Sequence, residues 1–252
     1  MNRARLFTSP CLVLSALLAL CAEPADAAEP APEISGTYWA AEYRARIQPV
    51  GGGELPLTPE GRAAYERNAA GLMDGTIVDA ARKFCTPDGP ARVLATPYPF
   101  EIVQAVPGQV LFLHELNHQI RVVLLDEPLP SFEDVIAFPW HNGHSVGHYE
   151  GDTLVIETIG FNELTFLDAT GTPHSDQLIT TERVRMINQD ELEIVITIHD
   201  PAFYTEDWDA RFVYTRRDDV RIDDYLCGEP HRDISHIPGV REAREARQQG
   251  VR

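Results

Sequence analysis

From Phe100 to Thr215 turn residues interrupt the chain so often that it can hardly build anything but a sheet of short strands. Runs rich in β-branched and aromatic residues occupy 100–106, 110–115, 119–125, 144–149, 153–159, 179–187, 191–198 and 210–215, with turn residues between them. No helical stretches alternate with these runs, so parallel crossover units have no source. The expected fold is mainly β: an antiparallel meander closing into a barrel, or a two-layer sandwich. Ser35 to Tyr43 reads as a first strand. One N-terminal helix follows, with Thr58 as its cap, Pro59 at its first position and Glu60 against the positive end of the dipole. Its Ala- and Glu-rich run ends near Gly71. Residues 86–99 carry four prolines and read as irregular.

Two hairpins carry register information. A three-residue loop at Asn188-Gln189-Asp190 sets Val184 and Met186 opposite Ile194 and Leu192, and Arg185 opposite Glu193. A two-residue loop would instead oppose Arg183 and Arg185 to isoleucines, so hydrophobic pattern and charge both select the first register. Glu182 then falls opposite Ile196 on the apolar face. A carboxylate facing a core costs several kcal/mol unless paired or protonated. It is read as half of an interior salt bridge with an arginine, or as a general acid or base of raised pKa; the third possibility is a different register. In the second hairpin, Gly151-Asp152 is a two-residue turn that places His148 opposite Val155 and His144 opposite Ile159. His144, His148 and Glu157 share one face, and Ser145, Gly147, Tyr149, Leu154 and Ile156 the other. Both faces carry apolar residues, so the pattern leaves open which one looks inward.

His114-Glu115-Leu116-Asn117-His118 spells HExxH, a zinc motif whose mechanics require a helix. Here it is bounded by Pro107-Gly108 and Pro128 and surrounded by β-formers. Two strands around a turn near Leu116-Asn117 fit better, and there the histidines are not a helical pair. A second metal alternative is His141, His144 and His148, three histidines within eight positions.

The chain's ends suggest export. Arg3 and Arg5 precede an apolar run from Cys11 to Cys21, and Ala25-Asp26-Ala27 is a small-x-small cleavage site. The run falls well short of the roughly 20 residues that span a bilayer. Residues 1–27 are therefore expected to be a signal peptide; a lipoprotein would use Cys21, but Leu20 stands where a small residue belongs. Residues 28–236 form the expected single domain and 237–252 a loose tail, in a periplasmic or secreted protein. Two cysteines remain, Cys85 and Cys227, and in an oxidising compartment they are expected to pair; two buried thiols are the alternative. The net charge of −18 repels phosphate backbones and anionic lipid, which argues against nucleic-acid partners, and no later run is long enough for membrane insertion.

Asn142-Gly143-His144-Ser145-Val146-Gly147, followed by Glu150-Gly151-Asp152-Thr153-Leu154-Val155 and Gly160-Phe161-Asn162, resembles the signature of a family of exported bacterial β-rich proteins. Pro97 to Glu101 and Thr181 to Arg183 extend the resemblance over roughly residues 35–230. It brings with it no activity or catalytic residue. In outline the chain is also similar to lipocalin-like barrels, and outline does not give function. Three functional classes remain. The first is a cofactor-independent lyase, isomerase or hydrolase acting on a small, partly apolar molecule in a barrel cavity. Its catalytic candidates are Glu182, His144, His148, Glu157 and Glu115. Arg121 holds a ligand carboxylate or phenolate in this scheme, and Tyr149 adds a substrate contact. The second is a small-molecule binder without turnover, and the third a histidine-ligated metalloprotein. A phosphate loop, a nucleophile elbow and a dinucleotide fingerprint are lacking, so no cofactor is expected.

Overall fold

The computed structural model describes residues 31–40 and 43–227; the expected signal peptide and C-terminal tail lie outside them. Among the described residues nine strands close into one barrel: β1 (Gly36–Ala40), β2 (Phe100–Val103), β3 (Gln109–His114), β4 (Gln119–Leu125), β5 (His144–Glu150), β6 (Thr153–Ile159), β7 (Ile179–Met186), β8 (Glu191–His199) and β9 (Trp208–Arg216). The long helix α1 (Pro59–Asp74) is capped by the Thr58 hydroxyl, which accepts from the Gly61 amide at 3.0 Å, and it stops at Gly75 in the left-handed region. Three five-residue helices join it: α2 (Ala80–Phe84), α3 (Pro90–Leu94) and α4 (Phe132–Ile136). The sequence reading of one helix and an irregular 86–99 segment is corrected here. Pro90 at the start of α3 supplies a preset φ, so a proline that reads as a breaker opens a helix instead.

Both hairpin registers stand as expected: Val184 faces Ile194 and Glu182 faces Ile196, while His144 faces Ile159 and His148 faces Val155. The inward face carries Ser145, Gly147, Leu154 and Ile156; the outward face carries His144, His148 and Glu157. Gly147 has no room for a side chain, since a Cβ there would lie 2.8 Å from Val123 Cγ1 across the strand pair. The interior is filled by side chains. Tyr38, Phe100, Ile102, Phe112, Ile156 and Ile196 are all buried to within 2 %, and Phe100 meets Tyr214 edge-on with centroids 4.9 Å apart.

One pairing departs from an antiparallel meander. β4 and β5 run parallel, and only Val123 to Leu125 pair with Ser145 to Gly147. A parallel pair needs a connection that travels back along the sheet. Residues 126–143 do this with Pro128, Pro130 and Pro139 in their path, so α4 is the sole helix they form. They therefore cover the outer face of β4 poorly. Ile120, Val122 and Leu124 remain 62 %, 41 % and 41 % exposed.

One barrel end is stoppered by α3, all five of whose residues are buried. Arg92 within it bonds Asp79 at 2.6 and 3.0 Å and pairs with Asp88 at 2.9 Å. The Tyr214 hydroxyl donates to the Leu94 carbonyl at 2.7 Å. At the opposite end Gln104 accepts from the Ile34 amide and donates to the Tyr149 hydroxyl, both at 2.8 Å.

Cys85 and Cys227 form a disulfide across 142 positions. It fastens the strap after β9 over the β3–β4 turn, where Asn117 donates its amide to the Tyr225 carbonyl and accepts from the Cys227 amide, both at 3.0 Å. Among the described residues no helix is long and apolar enough to cross a membrane. Loop closure of this length is worth about 2–5 kcal/mol. Replacing both cysteines by serine is therefore expected to lower the unfolding free energy by about that amount in urea titrations, with a matching loss for the wild type in reductant. Equal stability of oxidised and reduced protein would show that the bridge constrains nothing.

Candidate functional site

Arg121 projects from β4 into the barrel, and its guanidinium serves three further strands. Nε donates to Ser145 Oγ on β5 at 2.9 Å, Nη2 to Thr158 Oγ1 on β6 at 2.8 Å, and Nη1 to Glu182 Oε2 on β7 at 2.9 Å. Glu182 Oε1 lies 2.8 Å from Nη2, a charge contact in which that oxygen accepts no hydrogen bond. Glu182 is wholly buried and Arg121 is 5 % exposed. Of the readings open for Glu182, the interior salt bridge describes this geometry. All three guanidinium nitrogens of Arg121 thus donate within the barrel, to Ser145, Thr158 and Glu182. His114 shares this interior, 5.3 Å from the Phe100 ring. Burial first, and then the nearby Arg121 charge, holds its pKa down to about 3, so it is neutral.

The remaining sequence candidates do not converge on that cluster. His148 is exposed and lies 3.3 Å from Glu150, and Glu157 is exposed on the same outer face. Tyr149 points inward but at the far end, bonded to Gln104. Glu115 sits in the β3–β4 turn and accepts the Asp223 amide at 2.9 Å. His114 lies inside the barrel while His118 is outside, paired with Asp224, so the HExxH residues occupy a turn and not a helix. Asn117 and His118 are both left-handed there, with φ of 58° and 50°. His144 and His148 stand four residues apart on one strand, about 13 Å by strand rise, too far to share an ion. Among the described residues no three His, Cys, Asp or Glu side chains are grouped to hold a metal.

The outer face of β4 and the crossover enclose a groove of about 1060 Å³. Its floor is Ile120, Val122 and Leu124, its sides are prolines of the crossover, and Trp140, His141 and His144 stand at one flank. Trp140 is 57 % exposed and stacks on His144 with centroids 4.1 Å apart. Nε2 of His141 and Nε2 of His144 are both shielded from water and lack a hydrogen-bond partner. Burial lowers the His141 pKa, which keeps that imidazole neutral. The groove can therefore hold an apolar body against the sheet, with two unpartnered imidazole nitrogens shielded at one flank. No protein-family model matches the chain, and no curated protein matches it.

Sequence reasoning identified His141 and His144 but missed Trp140 and the β4 stripe. Alternation in Gln119 to Leu125 marks a two-faced strand, yet both faces are apolar in part, so pattern alone assigns neither. Also missed were Asp168, wholly buried and accepting from Thr170, Thr172 and the Ile47 amide, and the Asp88–Arg92 pair. A signal for both existed: Asp-x-Thr-x-Thr is an Asx-turn pattern, and an Asp four positions before an Arg suits one helical turn.

Removing one partner of a buried ion pair strands the other charge, at a cost of about 3–5 kcal/mol. Glu182→Gln is expected to lose stability on that scale in urea unfolding, and Arg121→Met with Glu182→Leu to recover most of it. A Glu182→Gln loss below about 1 kcal/mol would mean that the pair does not hold these strands together.

Proposed function

We propose that this chain is an exported, soluble small-molecule-binding protein of the family its signature resembles, with its ligand in the outer groove of β4 and not inside the barrel. The observation that carries this reading is the uncovered apolar floor of Ile120, Val122 and Leu124 beside two unpartnered imidazole nitrogens. Exposed apolar surface gathered into a concavity marks a binding site, whereas scattered exposed leucines do not. The packed interior supports the outer location, since filling it leaves a ligand no comparable space between the strands. The paired cysteines support a periplasmic or secreted setting. The reading calls for no cofactor.

An acid–base enzyme using the same groove is the second reading, favoured by the unpartnered Nε2 atoms of His141 and His144. In it an imidazole, and not Glu182, exchanges the proton with the substrate. A ligand that is recovered unchanged supports the binder; product formation abolished by His144→Gln supports the enzyme.

The neutral dye N-phenyl-1-naphthylamine tests the location. Its fluorescence is expected to rise on binding the wild type. Val122→Asp, which sets a charge on the groove floor, is expected to weaken binding tenfold or more while leaving the melting temperature within a few degrees. Ile187→Asp, at an exposed site in the β7–β8 hairpin loop, is expected to leave affinity unchanged. Equal binding by wild type and Val122→Asp would place the dye elsewhere.

A further inference from the structure

The groove's chemistry narrows what it accepts, and this step rests on the binding reading above. Three features act together. The first is a flat aromatic surface: Trp140 is more than half exposed, and with one side of its ring on His144 it offers the other to a ligand ring. The second is charge. Among the described residues Arg121 is the sole Lys or Arg along the groove, and its three nitrogens donate to Ser145, Thr158 and Glu182. Glu127 stands at the rim, and the whole chain carries −18. A carboxylate or phosphate entering this groove meets no free cation and a repulsive field.

The third feature is the pair of imidazole nitrogens. A polar atom that is neither solvated nor paired is costly, so a ligand atom that pairs with it gains selectivity. A neutral imidazole nitrogen is a donor in one tautomer and an acceptor in the other. A hydroxyl group complements both, because it donates and accepts; an anionic oxygen complements only the donor. Both nitrogens are shielded from water, so a ligand reaches them by displacing the side chains that cover them.

We infer that the groove selects uncharged aromatic molecules bearing a hydroxyl group, of the phenol or aryl-alcohol class. The ring lies on the β4 stripe against Trp140, and the hydroxyl bonds Nε2 of His144 or His141.

Four probes separate the terms, each titrated into the ¹⁵N-labelled full-length protein at pH 7 while the Trp140 indole and the Ile120 and Val122 amides are followed. The probes are 2-naphthol, 2-methylnaphthalene, 2-naphthoate and decan-1-ol. The inference expects 2-naphthol to bind at least fivefold more tightly than 2-methylnaphthalene and at least tenfold more tightly than 2-naphthoate or decan-1-ol. His144→Phe with His141→Phe, which keeps apolar area and ring shape, is expected to erase the advantage of naphthol over methylnaphthalene. Trp140→Leu is expected to erase the advantage of naphthol over decanol. If decanol or naphthoate matches naphthol while shifting the same three signals, the class is wrong and the groove remains a binding site. If no probe shifts them, the binding reading fails and the inference falls with it.

Discussion

The Arg121 guanidinium ties this barrel together across its one parallel seam among the described strands. β4 and β5 share only a three-residue parallel ladder, as short as those that join β1 to β2 and to β9. From β4, Arg121 reaches Ser145 on β5, Thr158 on β6 and Glu182 on β7, so one side chain ties four strands across that seam. A buried charge survives only with its opposite and with its remaining hydrogens satisfied. Glu182 meets the first condition, and Ser145 and Thr158 meet the second in part, while Glu182 Oε1 accepts no hydrogen bond. The seam also leaves a groove on the outer wall. Because β5 runs parallel to β4, the chain between them must travel back over the wall, and its prolines keep it from forming a helix that could lie flat on Ile120, Val122 and Leu124. The groove is the uncovered remainder.

This arrangement separates two jobs that a ligand-filled barrel would combine. The interior is given to packing, with Phe100, Ile156 and Ile196 among its buried contents and α3 closing one end. In the proposed reading, recognition is moved to the outer wall, where side chains are free of the packing constraint. The disulfide contributes on the same side of the molecule as the plug. It fastens the strap to α2, beside Asn117 of the β3–β4 turn from which β4 departs.

Much of the wall was legible in the sequence. The 179–198 hairpin was fixed by charge and apolarity agreeing on one register, since Arg185 meets Glu193 only when Val184 meets Ile194. The α1 start was legible because Thr58, Pro59 and Glu60 each favour the same boundary for independent reasons. The cysteine pairing followed from having two candidates and an expected export signal. Three things were not legible, and each has a physical cause. The parallel seam depends on where an 18-residue connection goes, which its composition does not encode. The helix at Pro90 to Leu94 forms because Arg92 finds Asp79 and Asp88 in the fold, and tertiary partners override a proline-rich local signal. The inward face of the His144–Ile159 hairpin was ambiguous because Val146, Val155 and Ile159 are apolar on the histidine side as well. They are covered in part by the crossover, which looks like core in sequence and proves to be the wall of a groove.

The account stands or falls on where a ligand sits. A crystal structure of the protein with N-phenyl-1-naphthylamine measures this directly. The account predicts density for the rings outside the barrel, on Val122 and against Trp140, with the Arg121–Glu182 pair intact behind them. Density between the strands among Phe100, Ile156 and Ile196, with that ion pair parted, would contradict it.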